Sequence, residues 1–248
     1  MSVIYALAVR QLKRYVRARA RIIGSLGQPL LFLIAMGFGF GSTFKKAGMG
    51  NYMQFLAPGI IAMGILFTSV FSGIEIIWDR QFGFLKETLV APAPRIQIVL
   101  GRILGGAAVA LIQGIVVFFI SLLVGFRVEN LLYLPVALVA MAFIAILFTS
   151  VGTAIGSMLE DMQAFPLIMN FVLMPLFFFS GALFPVQNGP KALKFAVHLN
   201  PLSYGVDALR GALTHGFALG LGVDFAVLAA LSVILLWIGI RLFSRIQI

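Results

Sequence analysis

The chain has 248 residues, 61% hydrophobic and only 10% charged, with a net charge of +10 and a mean hydropathy of +1.08. A water-soluble domain of this length covers itself with about 25% charged residues; their lack here excludes a soluble enzyme or binding module and makes the bilayer the main solvent. The basic surplus then reads as orientation in a membrane rather than nucleic-acid binding. The absence of cysteine removes disulfides, thiolate catalysis and thiolate metal sites, and the isolated His198 and His215 form no metal cluster.

In chain order, residues 1–21 carry Ile4, Leu7, Ala8, Leu12, Tyr15 and Val16 at steps of three and four, with basic residues on the other faces. This spacing predicts an amphipathic helix lying on the inner leaflet, with membrane lipid as its partner. No separate short apolar region with a small-residue cleavage site precedes it, so no cleavable signal peptide is expected. Six apolar runs follow at roughly 22–44, 55–77, 97–124, 131–157, 164–186 and 221–243, each near the ~20 helical residues that cross a hydrocarbon core. The chain is therefore read as one all-α polytopic membrane domain over 1–248.

In the first run, Gly37, Gly39 and Gly41 stand beside Ser42 and Thr43, but no Gly-Lys-Ser/Thr follows, so no phosphate loop is expected. Small-residue pairs at Gly37/Gly41, Gly101/Gly105 and Gly152/Gly156 predict close helix packing. Polar residues inside the runs (Thr68, Ser69, Gln113, Thr149, Ser150 and Asn170) are candidates for lining a pathway. Interhelical hydrogen bonds are the plainer use of each.

Between the second and third runs lies the most charged interior stretch, WDRQFGFLKETLVAPAPR from Trp78 to Arg95. Glu75, Asp79 and Arg80 are ionisable groups at the inner end of the second span, costly there unless they meet water or a partner, and are candidates for gating. Phe82, Leu85 and Leu89 then mark one face of a short helix, with Lys86 and Glu87 on the other, until Pro92 and Pro94 break it. A short helix held between two spans is suited to passing force to both.

In the fifth run Pro166, Pro175 and Pro185 interrupt the helix, and backbone freed at depth must be buried in protein or line a wet cavity. After Asn188-Gly189-Pro190, a weakly amphipathic stretch precedes Asn200-Pro201, where Asn caps and Pro opens a helix. Two short outer helices are predicted over 187–214. Lysine and arginine then set the orientation: with the N-terminus inside, twelve of the eighteen fall on the cytoplasmic side, at the N-terminus, around the 78–95 loop and at Arg241 and Arg245. Both termini are predicted cytoplasmic.

The pattern from Glu75 through Arg95, followed by Gly-Arg-x-Leu-Gly-Gly at Gly101 to Gly106, resembles the permeases of type 2 ATP-binding-cassette exporters. So do FFFSGALFPV at Phe177 to Val186 and NPLSYGVDALRGAL at Asn200 to Leu213. The resemblance extends over the whole chain in span number and length. It implies that residues 78–95 hold a coupling helix docking on a separate ATPase, with Phe82, Phe84, Leu85, Lys86 and Glu87 as contact candidates. It implies short re-entrant outer helices capping the exit, around Phe179, Ser180, Gly181, Pro185, Asn200 and Pro201. The implied assembly is a second copy of this chain with two cytoplasmic ATPase subunits; ATP and Mg belong to those subunits, with no cofactor in this chain. The implied task is export of a drug-like, amphipathic, lipid-linked or polysaccharide compound across a prokaryotic plasma membrane. A secondary transporter or channel would instead show mid-membrane charges or inverted repeats. A membrane enzyme would gather His, Asp or Glu at one depth.

Overall fold

The computed structural model describes residues 2–46, 50–90, 93–186, 190–214, 216 and 219–244. Among them every regular element is a helix, as expected where no water is present to satisfy open backbone. Pro92, Asn188, Gly189, His215, Arg245 and the first residues of the 187–214 segment lie outside the described residues. Among the described residues five helical units are long and apolar enough to span a membrane. They are α2 (Arg19–Lys46), the rod formed by α3 (Tyr52–Phe71) and α4 (Ile74–Gln81), α6 (Arg95–Val124), α7 (Leu134–Met158, entered through a 3₁₀ turn at Leu131–Tyr133) and α11 (Leu221–Ser244). Short helices complete the order: α1 (Val3–Arg17), α5 (Phe84–Val90), α8 (Ala164–Phe178), α9 (Lys191–Leu199) and α10 (Pro201–Thr214).

The fifth run departs from a clean span. Only α8 is helical, 15 residues long, or about 22 Å at 1.5 Å per residue against a core of about 30 Å. Local hydrogen bonding explains where it stops. The Ser180 hydroxyl donates to the Phe177 carbonyl at 2.6 Å and accepts from the Ala182 amide at 3.2 Å, and Gly181 takes a left-handed φ of 73°. The backbone so released is satisfied by protein. Asn200 donates to the Leu176 carbonyl at 2.6 Å, Arg210 to Gly181 at 3.1 Å and Tyr52 to Leu183 at 3.0 Å.

The α3–α4 rod is the buried centre, flanked by α2, α6, α7 and α10. It breaks at Ser72-Gly73, where it lies backbone to backbone on α7. A Cβ on Gly152 would overlap the Val70 carbonyl, and one on Gly156 the Gly73 carbonyl. The Gly152/Gly156 pair is thus internal packing. Gly101 and Gly105 leave a side-chain-free groove on α6 that receives Ile4, Leu7, Ala8 and Gln11 of α1. The apolar side of α1 therefore packs largely on its own chain, while Val16, read as part of that stripe, is 64% exposed. In the Gly37/Gly41 pair, Gly37 faces Met53 and Gly41 faces open space.

Candidate functional site

The long rod places two groups of residues at opposite ends of the bundle. Arg210 of α10 meets Phe55 near the start of α3, while α5 follows the end of α4. At the α5 end the chain gathers α1, the start of α2, the start of α6 and the end of α11. Arg95 donates to the Ser244 carbonyl at 2.6 Å there, so the N-terminal helix and the last helix finish on the same side as α5.

Glu75 and Asp79 lie one turn apart on α4, a spacing that puts both on one face. Both are 4% exposed, so their charges require partners. Asp79 accepts from Arg102 of α6 at 2.5 Å and from Arg10 of α1 at 3.1 Å. Glu75 accepts from Arg21 of α2 at 2.8 Å, and Arg14 of α1 approaches it at 3.8 Å. Two carboxylates thus hold four guanidiniums from three helices. Arg14 also lies 5.6 Å over the Trp78 ring. Arg80 points to α7 and donates to the carbonyls of Ser157 at 3.1 Å and Leu159 at 3.4 Å, which covers groups a helix C-terminus leaves open. The three residues proposed for gating are therefore tied into neighbouring helices of this chain.

At Gly83 a φ of 79° turns the chain out of α4, a conformation open to glycine without strain, and α5 begins at Phe84. Here most side chains have no cover. Phe82 is 68% exposed and Phe84 54%, and Lys86 and Glu87 are exposed too. Leu85 differs, with 2% exposure among Ile76, Ile98, Val99, Ile103 and Phe243. Its side chain is unavailable to a docking partner and instead anchors α5 to α4, α6 and α11. Phe82 caps the end of α4 and so is not part of the expected helical face.

Of the candidate pathway residues, Thr68 lines a cavity of about 290 Å³ between α1, α2 and α3, with Tyr15, Arg21, Ser25, Gln28 and Phe71. Four others face helix seams. Ser69, Gln113, Thr149 and Ser150 are fully or almost fully buried; Gln113 accepts from the Tyr15 hydroxyl at 2.6 Å and Ser150 bonds back to Ile146. Asn170 is exposed on the outer side of α8. The structure therefore does not bring these six residues into one pathway.

At the far end the chain builds a small cap. Asn200 accepts from the Leu202 amide at 3.0 Å to start α10, immediately after which Pro201 supplies the first helical residue. Arg210 is half-buried, donates to the Phe55 and Gly181 carbonyls and stacks 3.9 Å over the Phe55 ring. Burial pulls its guanidinium down to about 10, opposed by Asp207, so it stays charged at neutral pH. Ser180 and Gly181 belong to this cap, whereas Phe179 is 47% exposed and Pro185 lies beyond it in the non-helical segment.

The residues not foreseen are Arg10, Arg14, Arg21 and Arg102 as partners of the two carboxylates, and Gln11 in the α1 seam. Arg102 carried a readable signal: an arginine inside an apolar run demands an acid nearby. The other three read as orientation charges, because no spacing rule links residue 10 to residue 79.

A bundle of apolar helices whose second and third spanning units are joined by a short exposed helix defines a polytopic membrane protein with a presented inter-span contact. A family model described as ABC-2 type transporter matches residues 2–214, and the chain belongs to this family. It is similar to nodulation protein J of Rhizobium leguminosarum bv. trifolii, 29% identical over 196 residues, covering 78% of this chain and 74% of the relative. The inner membrane transport permease YadH of Escherichia coli is 31% identical over 182 residues, covering 73% and 70%. A putative transport permease, ycf38, of Pyropia yezoensis is 31% identical over 223 residues, covering 84% and 72%. The chain is accordingly a multi-pass membrane transport permease, and its family implies an ABC transporter with ATPase partners.

Proposed function

We propose that the chain is the membrane-spanning subunit of an ATP-driven exporter. In this reading two copies pair in a prokaryotic inner membrane, both termini cytoplasmic, and each receives one cytoplasmic ATPase subunit on α5. ATP and Mg are held by that subunit, and this chain hydrolyses nothing. The observation that supports the reading is the contrast within one hairpin: Phe82, Phe84, Lys86 and Glu87 are exposed beside a Leu85 that is 2% exposed. Two exposed phenyl rings flanked by charges have the composition of an interface anchor.

Motion of α5 would reach the bundle through Leu85, which packs on α4, α6 and α11, and through α4, whose carboxylates hold α1, α2 and α6. Alternating access follows if the two α5 helices are drawn together and apart by the ATPases. The cargo class, taken from the resemblance, is an amphipathic, drug-like, lipid-linked or polysaccharide compound; the similar chains YadH and ycf38, named transport permeases, support transport. The test is co-expression with candidate ATPases, purification of the membrane complex and measurement of compound-stimulated ATP hydrolysis. A stable complex that hydrolyses ATP only with the ATPase present is expected. Failure of every candidate ATPase to copurify would overturn the reading.

A further inference from the structure

Four basic residues of α1, Arg10, Lys13, Arg14 and Arg17, recur at steps of three and four, which lines them along one side of the helix. With Asp79 and Phe84 they border an open cavity of about 590 Å³ between α1 and the hairpin. Four cations there face one carboxylate, and Asp79 is already engaged by Arg10 at 3.1 Å and Arg102 at 2.5 Å. Lys13 and Arg17 have no acidic partner among the described residues. The cavity therefore carries a surplus of positive charge that the chain itself does not neutralise.

Its position says what neutralises it. Ile4, Leu7, Ala8 and Gln11 of α1 pack on α6, and the basic side faces the surroundings. The cavity sits where the apolar rod of α3 gives way to Glu75, Trp78 and Asp79, and where α6 begins with Arg95 and Arg102. A tryptophan and several arginines at a span end mark the headgroup layer of a bilayer. Phosphodiester oxygens suit guanidinium forks and an ammonium.

We propose that this cavity binds the phosphodiester headgroup of an anionic membrane lipid. Because Phe84 opens α5 and borders the same cavity, a bound headgroup touches the coupling helix, and the charge of the inner leaflet adjusts how that helix is presented. The inference rests on the reading of α5 as the docking helix only for this last consequence; binding itself does not need an ATPase.

The experiment uses the purified full-length chain in neutral detergent, without ATPase, and measures binding of short-chain phosphatidylglycerol, short-chain phosphatidylcholine and inorganic phosphate by native mass spectrometry and thermal shift. Phosphatidylglycerol should bind at least tenfold more tightly than phosphatidylcholine, and inorganic phosphate should not displace it at equal concentration. The double variant Lys13→Gln/Arg17→Gln keeps the Arg10 and Arg14 ties and should weaken phosphatidylglycerol about tenfold or more, at about 1 kcal/mol per basic residue. Lys45→Gln/Lys46→Gln, at the other end of the bundle, removes the same charge and should bind as wild type. Equal binding of the two lipids, displacement by inorganic phosphate, or equal losses in both double variants would overturn the site. In the separate copurification test, failure of every candidate ATPase to bind a chain that still binds phosphatidylglycerol would instead count against the docking role of α5.

Discussion

Consecutive short helices of one hairpin are built on opposite principles. On α4 the charged groups are turned inward and every one is tied to a neighbouring helix, whereas on α5 the charged and aromatic groups are left in the open and one leucine does the anchoring. In the proposed function the pair acts as a lever. A rigid base distributes load into the bundle, and a tip with few ties of its own remains free to meet a partner.

Breaking the base should cost most. Asp79→Ala leaves Arg102 buried and without its carboxylate, and the expected loss is about 3 to 5 kcal/mol, read as a lower unfolding midpoint in detergent and poor yield; a midpoint close to wild type would show that the base is not rigid in the way described. Leu85→Ala removes the anchor of the tip and should cost about 2 to 5 kcal/mol while leaving the span helices formed, checked by unfolding followed by circular dichroism. Gly152→Ala forces a methyl group into the Val70 carbonyl and should cost about 1 to 3 kcal/mol. The tip's exposed groups should matter least to folding. Lys86→Glu, Glu87→Lys and Phe84→Ala should each stay within about 0.5 kcal/mol of wild type, and their effect should appear in ATPase binding. A stability loss there as large as that of Leu85→Ala would erase the distinction between base and tip.

The helical class, the order of the apolar runs and the hairpin at 78–95 were legible in the sequence, because hydropathy and proline placement report directly on what a bilayer permits. Asn200-Pro201 was legible for the same reason: a cap and a helix start are local chemistry. Less could be read where the outcome depends on three-dimensional neighbours. The 164–186 run looks long enough to span, yet Ser180 and Gly181 end the helix at Phe178 through bonds to the backbone. The α1 stripe reads as a surface for lipid, and its spacing does not reveal that Gly101 and Gly105 open a groove on α6 for much of it. Leu85, Lys86 and Glu87 are adjacent in sequence, and only packing against Phe243, well over a hundred residues away, separates the buried one from the exposed pair. Gln113, Thr149 and Ser150 show the same limit, since a polar side chain in a span has the same appearance whether it faces a seam or a pore.

The central claim, that the exposed tip of the hairpin is the ATPase contact, is tested most directly by copurification of the cognate ATPase with the double variant Phe82→Ala/Phe84→Ala. The variant should fold and unfold like wild type and retain the ATPase at least tenfold more weakly, as expected for loss of two aromatic anchors. Retention of the ATPase at wild-type affinity by this variant would contradict it.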